Sequence, residues 1–342
     1  MIDTVAGNGT AGFGDSEDAR QGMFNGPGGA VIDNSGRVII ADLHNHRIRV
    51  YDPARGSLGT IVGNGQPETS PHGTPVCVAS VHCPHASGVD PQGRIYAVES
   101  WGNVITRVNP ETRCVERVAG TGEPGFSGDG GPADRARLHE PAGASFDAEG
   151  NLYFNDFRNN RIRMVATDGT IRTVAGTGEM GHTGDGGPAI AATLRGPYGV
   201  ACDRWRGLLY IADHGNACIR RVDLHTGIIV TVAGCGRKGF AGDGGQASYA
   251  MLSDPHGVAT DTRGNLYIAD TGNCRVRKVD FAAGMISTFA GNGEAAHGGD
   301  GGDALEASFL YPAGVAVSTT GEVYVPDYRA HCLRKIQRRH EE

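Results

Sequence analysis

The sequence predicts an all-β fold, a six-bladed β-propeller of four-stranded antiparallel blades, and three observations predict it. A short phrase recurs six times, as Gly26-Pro27-Gly28-Gly29, Cys83-Pro84-His85-Ala86, Glu140-Pro141-Ala142-Gly143, Gly196-Pro197-Tyr198-Gly199, Asp254-Pro255-His256-Gly257 and Tyr311-Pro312-Ala313-Gly314. Its prolines lie 57, 57, 56, 58 and 57 residues apart, so six units fill the 342 residues. Each unit divides into four short strands separated by turn residues, the pattern of a propeller blade. Finally, Ile2-Asp3-Thr4-Val5-Ala6-Gly7 matches a fourth strand such as Arg172-Thr173-Val174-Ala175-Gly176, whereas the last repeat stops after its third strand, at Ile336. Residues 2–6 are therefore expected to complete the sixth blade and close the ring, which hides the edges of an open sheet. The expectation is one domain over residues 1–342.

The unit beginning at Pro197 shows the elements in order. Val200-Ala201-Cys202 is a short apolar run, and Asp203-Arg204-Trp205-Arg206-Gly207 is a turn. Leu208 to Ala212 is a second strand, and Asp213-His214-Gly215-Asn216 turns again. Cys218-Ile219-Arg220-Arg221-Val222 alternates apolar with basic, as a half-exposed strand does. After Asp223 to Gly227 comes a fourth strand, Ile228 to Ala233, and a glycine-rich loop leads to the next unit. A glycine content of 55 suits many tight turns,.

Composition narrows the function classes. A net charge of -7, spread along the chain, gives no electrostatic footprint for nucleic acid,. No apolar run is long enough for a membrane span, and the first residues do not read as a signal peptide. The eight cysteines are scattered without a C-x-x-C pair, which reads as free thiols and a cytoplasmic setting,.

Four repeated features have plain structural readings. The Gly120-x-Gly122-x-x-Gly125 spacing fits a dinucleotide fingerprint but opens a turn-rich loop, not a helix, and recurs with the blades. Loop aspartates Asp15, Asp129, Asp185, Asp243 and Asp300 (His72 in the second unit) are expected to bond their own turns. Asp42, Glu99, Asp156, Asp213, Asp270 and Asp327 end the second strands and are expected to cap backbone donors of the loop that follows. The third-strand arginines, Arg47, Arg49, Arg161, Arg163, Arg220, Arg275 and Arg277, are expected on a solvated blade face.

The phrases Val118-Ala119-Gly120-Thr121-Gly122, Gly125-Phe126-Ser127-Gly128-Asp129-Gly130-Gly131 and Leu152-Tyr153-Phe154-Asn155-Asp156 resemble NHL repeats, with the Asn-His dipeptide present as Asn45-His46. The resemblance covers the chain and implies a six-bladed propeller. It fixes no activity, because one fold hosts many.

Chemistry is sought where the repeats differ. The residue after each repeated proline sits at one mouth of the channel: Gly28, His85, Ala142, Tyr198, His256 and Ala313. His85 and His256 are thus expected to face each other from blades 2 and 5 as ligands of a divalent metal, zinc first, with His214 or Glu99 as third ligand. The loop after the second strand opens on the same face and adds His44, Trp101, Arg158, His214, Tyr328 and Arg329. A second cluster, His72, Cys77, His82, Cys83 and His85, matches no zinc-finger spacing. The Pro-His dipeptide also resembles the lyase domain of peptidylglycine amidating enzymes. That resemblance implies a catalytic zinc on such histidines, assisted by an arginine and a tyrosine. Only His85 and His256 carry over, and they are opposed, whereas the family places three histidines on alternating blades.

Two functions follow as expectations. One is a metal-assisted lyase or hydrolase. A small anionic substrate would sit on Arg158 or Arg329, with Tyr198, Tyr328 or His214 moving the proton and His44 and Trp101 lining the site. The alternative is a non-catalytic propeller whose rim grips a protein or other ligand.

Overall fold

The structure is a computed structural model, and it describes residues 1–337; residues 338–342 of the expected domain lie outside it. Six four-stranded antiparallel sheets stand in a ring. The inner strands are Pro27–Ile32, Pro84–Val89, Pro141–Phe146, Pro197–Asp203, Pro255–Thr260 and a short Ala316–Val317. Ile2–Ala6 pairs with Cys332–Ile336, so the N-terminal strand closes the sixth blade as the sequence predicts. No helix among the described residues is long and apolar enough to cross a membrane.

Alternate side chains of each strand pack between neighbouring blades. Tyr96 and Val98 of blade 2 meet Phe146 and Phe154 of blade 3, with the Tyr96 and Phe146 ring centroids 4.8 Å apart. Ile2 joins Val323, Val325 and Ile336 at the closure. Because both faces of a blade are covered, a polar residue of the third strand must bring its own partner.

The arginines supply the correction. Arg49, Arg163, Arg220, Arg277 and the equivalent Arg334 are fully buried, not solvated. Arg49 bridges Asp42 and Asp15, each at 2.7 Å. Arg163 bridges Asp156 and Asp129, and Arg277 bridges Asp270 and Asp243. The loop aspartates therefore do not bond their own turns as expected: they are charge partners of buried guanidinium groups, and Asp15, Asp129 and Asp243 also accept from the fourth-strand hydroxyls of Thr60, Thr173 and Thr288. The strand-end acids do cap backbone donors, but in the loop before the inner strand: Asp156 accepts from His139 N–H at 2.7 Å and Asp213 from Arg195 N–H at 2.8 Å. Burial pushes the Asp270 carboxyl up to about 6, with Asn273, Ser253 and Arg277 opposing it.

The outer arginines alternate around the ring. Arg47, Arg161 and Arg275 stack on Phe13, Phe126 and Phe240 at 3.7, 3.8 and 3.8 Å. In blades 4 and 6 the same two positions hold Cys218 with His182 and Cys332 with His297, the sulfurs 3.6 and 3.9 Å from the rings. All eight cysteines are free thiols.

A side-chain staple joins successive blades. The turn after the second strand ends in a left-handed residue, His46, Asn103, Asn160 or His331 in four blades. His46 Nδ1 accepts from Cys83 N–H at 3.0 Å, and Asn103, Asn160 and His331 accept from Glu140, Gly196 and Gly26 N–H. Ala217 and Cys274 occupy this position in blades 4 and 5 and have no such acceptor.

The channel narrows where the inner strands begin. A Cβ at Gly199 would lie 2.3 Å from the His256 carbonyl oxygen, and one at Gly257 would lie 2.7 Å from the Gly314 Cα. Glycine there lets the strands converge to a cavity of only about 70 Å³. The channel widens to a funnel of about 610 Å³ at the opposite end.

Candidate functional site

Three of the six residues after the repeated prolines carry bulk, and Tyr198 links the other two. Its hydroxyl lies 2.5 Å from His85 Nε2. Its ring stacks on His256, centroids 4.2 Å apart and planes at 22°, and meets Phe157 edge-on. His85 and His256 therefore do not face each other as expected; the phenol stands between them. His85 is enclosed by protein but keeps some accessible surface, because that surface borders the channel cavity.

Tyr311 completes the group. The residue before the repeated proline is left-handed in blades 1 to 5 (Gly26, Cys83, Glu140, Gly196, Asp254) but not at Tyr311. Blade 6 also has the short inner strand. With this different backbone, the Tyr311 hydroxyl reaches His256 Nε2 at 3.3 Å. His214, which opens the turn His214–Asn216, brings its ring within 4.9 Å of His256. Its Nε2 lies 3.6 Å from Asp254, which also pairs with Lys238 at 2.5 Å.

Burial governs the charge states. It pushes His85 down to about 4 and, with the neighbouring imidazoles, His256 well below its usual value. His214 is also lowered by burial, against the pull of Asp254. Burial raises the Tyr198 and Tyr311 phenols. At neutral pH the site is three neutral imidazoles and two protonated phenols. The Nδ1 atoms of His214 and His256 are buried with no hydrogen-bond partner among the described residues, with the His214 ring set against the Asp254–Pro255 backbone.

Other expected residues lie around this centre. His44 Nε2 is 2.6 Å from the Tyr328 hydroxyl, and the Tyr328 ring packs against Tyr311. Arg329 lies over the Tyr311 ring at 5.0 Å and makes no ion pair among the described residues. Arg158 is already paired with Glu140 at 2.8 Å. Trp101 is exposed on the blade 2 rim against His82, apart from the Tyr198 group.

Glu99 is spent inside blade 2. One oxygen accepts from Thr106, the other from Thr69 and from His82 N–H. Blade 2 has Thr106 where other blades have the buried arginine, and the longer carboxylate spans the difference. With Glu99 engaged and His85 bonded to Tyr198, the expected three-ligand set is not gathered. Among the described residues no three His, Cys, Asp or Glu groups converge to hold a metal, the His72, Cys77, His82 and Cys83 cluster included. The donor set does not fit a catalytic zinc.

Tyr311, Asp254 and Lys238 were not anticipated. The sequence signal for Tyr311 was one residue before the proline, where it is the only aromatic among the six.

The teneurin NHL domain model matches residues 92–181 and 236–297, and the NHL repeat model matches residues 24–51 and 309–336. The chain belongs to the NHL-repeat propellers. Human NHL repeat-containing protein 2 is 28% identical over 301 residues, covering 78% of this chain and 40% of that protein. This NHL propeller thus spans about two fifths of the length of such relatives. An auxiliary nutrient binding protein from Bacteroides ovatus superposes with TM-score 0.70 at 16% identity, covering 98% of this chain and 76% of that one. A gluconolactonase from Xanthomonas campestris does so with TM-score 0.60 at 13% identity, covering 92% and 86%. Binding proteins and enzymes share this ring, and the likeness is one of fold. In this NHL propeller the Asn-His motif has a visible job, since its histidine, His46, is a blade-to-blade staple.

Proposed function

We propose that this NHL propeller is a lyase or hydrolase acting on a small anionic substrate at the Tyr198 mouth, by general acid–base chemistry. One observation carries the reading. His214 and His256 present two buried, unpartnered imidazole nitrogens beside a protonated phenol. Buried polar atoms are nearly always satisfied, so an exception calls for an explanation such as a catalytic role or a bound water.

The residues divide the work by their proton affinities. A neutral imidazole, His256 or His214, accepts a proton from carbon or from an attacking water. Tyr198, kept protonated by burial, donates to the leaving group or to a developing oxyanion. His85, neutral and bonded to that hydroxyl, orients the phenol. Arg329, which has no ion pair among the described residues, holds the substrate anion. Arg158, already compensated by Glu140, is the weaker candidate.

A protein ligand on the same rim is the second reading, favoured by the exposed Trp101. The discriminating experiment is turnover of a panel of small hydroxy-, amino- and keto-carboxylates and lactones, followed by proton NMR. The enzyme reading predicts conversion of at least one compound, reduced by about 100-fold or more in Tyr198→Phe and in His256→Ala. Conversion of none, or conversion indifferent to both substitutions, contradicts it.

A further inference from the structure

The funnel at the opposite end of the channel is built asymmetrically. In five blades the turn between the first and second strands spans four residues, closed by a glycine N–H bonded to the first residue's carbonyl, as from Gly36 to Asp33 and Gly264 to Asp261. Blade 4 has one residue more, Asp203 to Gly207, and there Arg206 N–H makes the closing bond. The longer turn places Arg204 and Trp205 on the funnel wall.

Arg204 reaches across two blades. Its Nε donates to the Phe146 carbonyl at 3.2 Å and its Nη2 to the Val89 carbonyl at 3.3 Å. It makes no ion pair among the described residues. Of the carboxylates lining the funnel, Asp33 pairs with Arg37, Asp203 with Arg206 and Glu322 with Lys335. Asp261 accepts from the Asn265 side chain and from two backbone N–H groups. Arg204 is left with no carboxylate in direct contact among the described residues, while Asp261 across the funnel and Asp147 beside Phe146 are held by neutral donors. Beside Arg204, Trp205 is 82% exposed. The inner wall carries Ala30, Val200, Val258 and Val315, an apolar strip beside the hydroxyls of Ser87, Ser145 and Thr260.

We infer that this funnel is a second ligand site, taking a small organic anion with a flat apolar body. The acidic group would rest on Arg204 and the body between the apolar strip and the Trp205 indole. A volume of about 610 Å³ suits such a molecule, within the roughly 300–1,000 Å³ range of small-molecule pockets. An anion matches the unpaired guanidinium, and an indole face matches a planar ring.

The chain holds two tryptophans, Trp101 and Trp205, one on each face of the ring, so fluorescence reports which face is occupied. The probe is 2-naphthoate, with naphthalene-2-carboxamide as its neutral counterpart. In Trp101→Phe, which keeps Trp205, naphthoate should quench emission saturably and bind at least tenfold more tightly than the carboxamide. Arg204→Gln should abolish that preference while the protein stays folded, with a melting temperature lower by no more than a few degrees for the loss of its two hydrogen bonds to the Phe146 and Val89 carbonyls. Absence of saturable quenching, equal affinity for the two probes, or a preference that survives Arg204→Gln each overturns the proposal. So does quenching confined to Trp101 in the Trp205→Phe protein.

Discussion

The hydroxyl of Tyr198 meets Nε2 of His85 at 2.5 Å, joining blade 4 to blade 2 across the mouth of the channel. Tyr198→Phe removes that bond and keeps the ring stacked on His256. The expected destabilisation is about 1 kcal/mol, the net value of one hydrogen bond. Urea unfolding measures it, and a loss several-fold larger would mean that the ring itself had moved.

Acid should weaken the fold through the same residues. Burial holds His85 down to about 4 when folded, whereas its ordinary value is 6.5. Between those values the unfolded chain binds more protons, so stability is complete above pH 6.5 and drains away as the pH falls toward 4. His85 alone contributes about 3 kcal/mol to this slope, and His256 acts in the same direction,. Unfolding free energies from pH 7 to 4 in wild type and His85→Gln test this, with the flatter profile expected for the variant.

The buried clamps should be costly to break. Arg163→Ala leaves Asp156 buried without its cation and is expected to destabilise by about 3–5 kcal/mol. Arg161→Ala, which loses a half-exposed stack on Phe126, should cost roughly 1 kcal/mol,. Equal losses in equilibrium unfolding would refute the distinction.

A missing staple can be supplied. Ala217 is left-handed, with φ of 49°, a conformation asparagine tolerates better than alanine. Ala217→Asn should place an acceptor opposite Asp254 N–H, as Asn160 does for Gly196, and stabilise by about 1 kcal/mol,. A lower melting temperature would show that the blade 4–5 junction cannot accept it.

Closure of the ring was legible in the sequence, since Ile2 to Ala6 repeats a fourth strand. Deleting residues 1–7 should therefore lower the melting temperature by roughly 5–10 °C or more.

The arginines were misread because alternation alone assigns one strand face to solvent, whereas both faces of a blade are covered. The correct partner was also in the sequence, 34 residues upstream: Asp15 for Arg49, Asp129 for Arg163, Asp243 for Arg277. In blade 2 both members are lost together, as His72 and Thr106, and that coupled loss was the available clue. Repeat alignment put His85, Tyr198 and His256 at one mouth. It could not foresee that a tyrosine ring would lie between two histidines, because side-chain reach across a channel depends on how closely the glycine layer lets the strands converge. Tyr311 escaped notice because its placement depends on a backbone departure confined to blade 6.

The most direct measurement is nitrogen-15 NMR of histidine-labelled protein at pH 7, free and with a small carboxylate such as lactate. The acid–base account predicts neutral rings for His85, His214 and His256, and Nδ1 shifts at His214 and His256 on titration that vanish in Arg329→Ala. Charged rings at pH 7, or Nδ1 signals unmoved by the carboxylate, would contradict it.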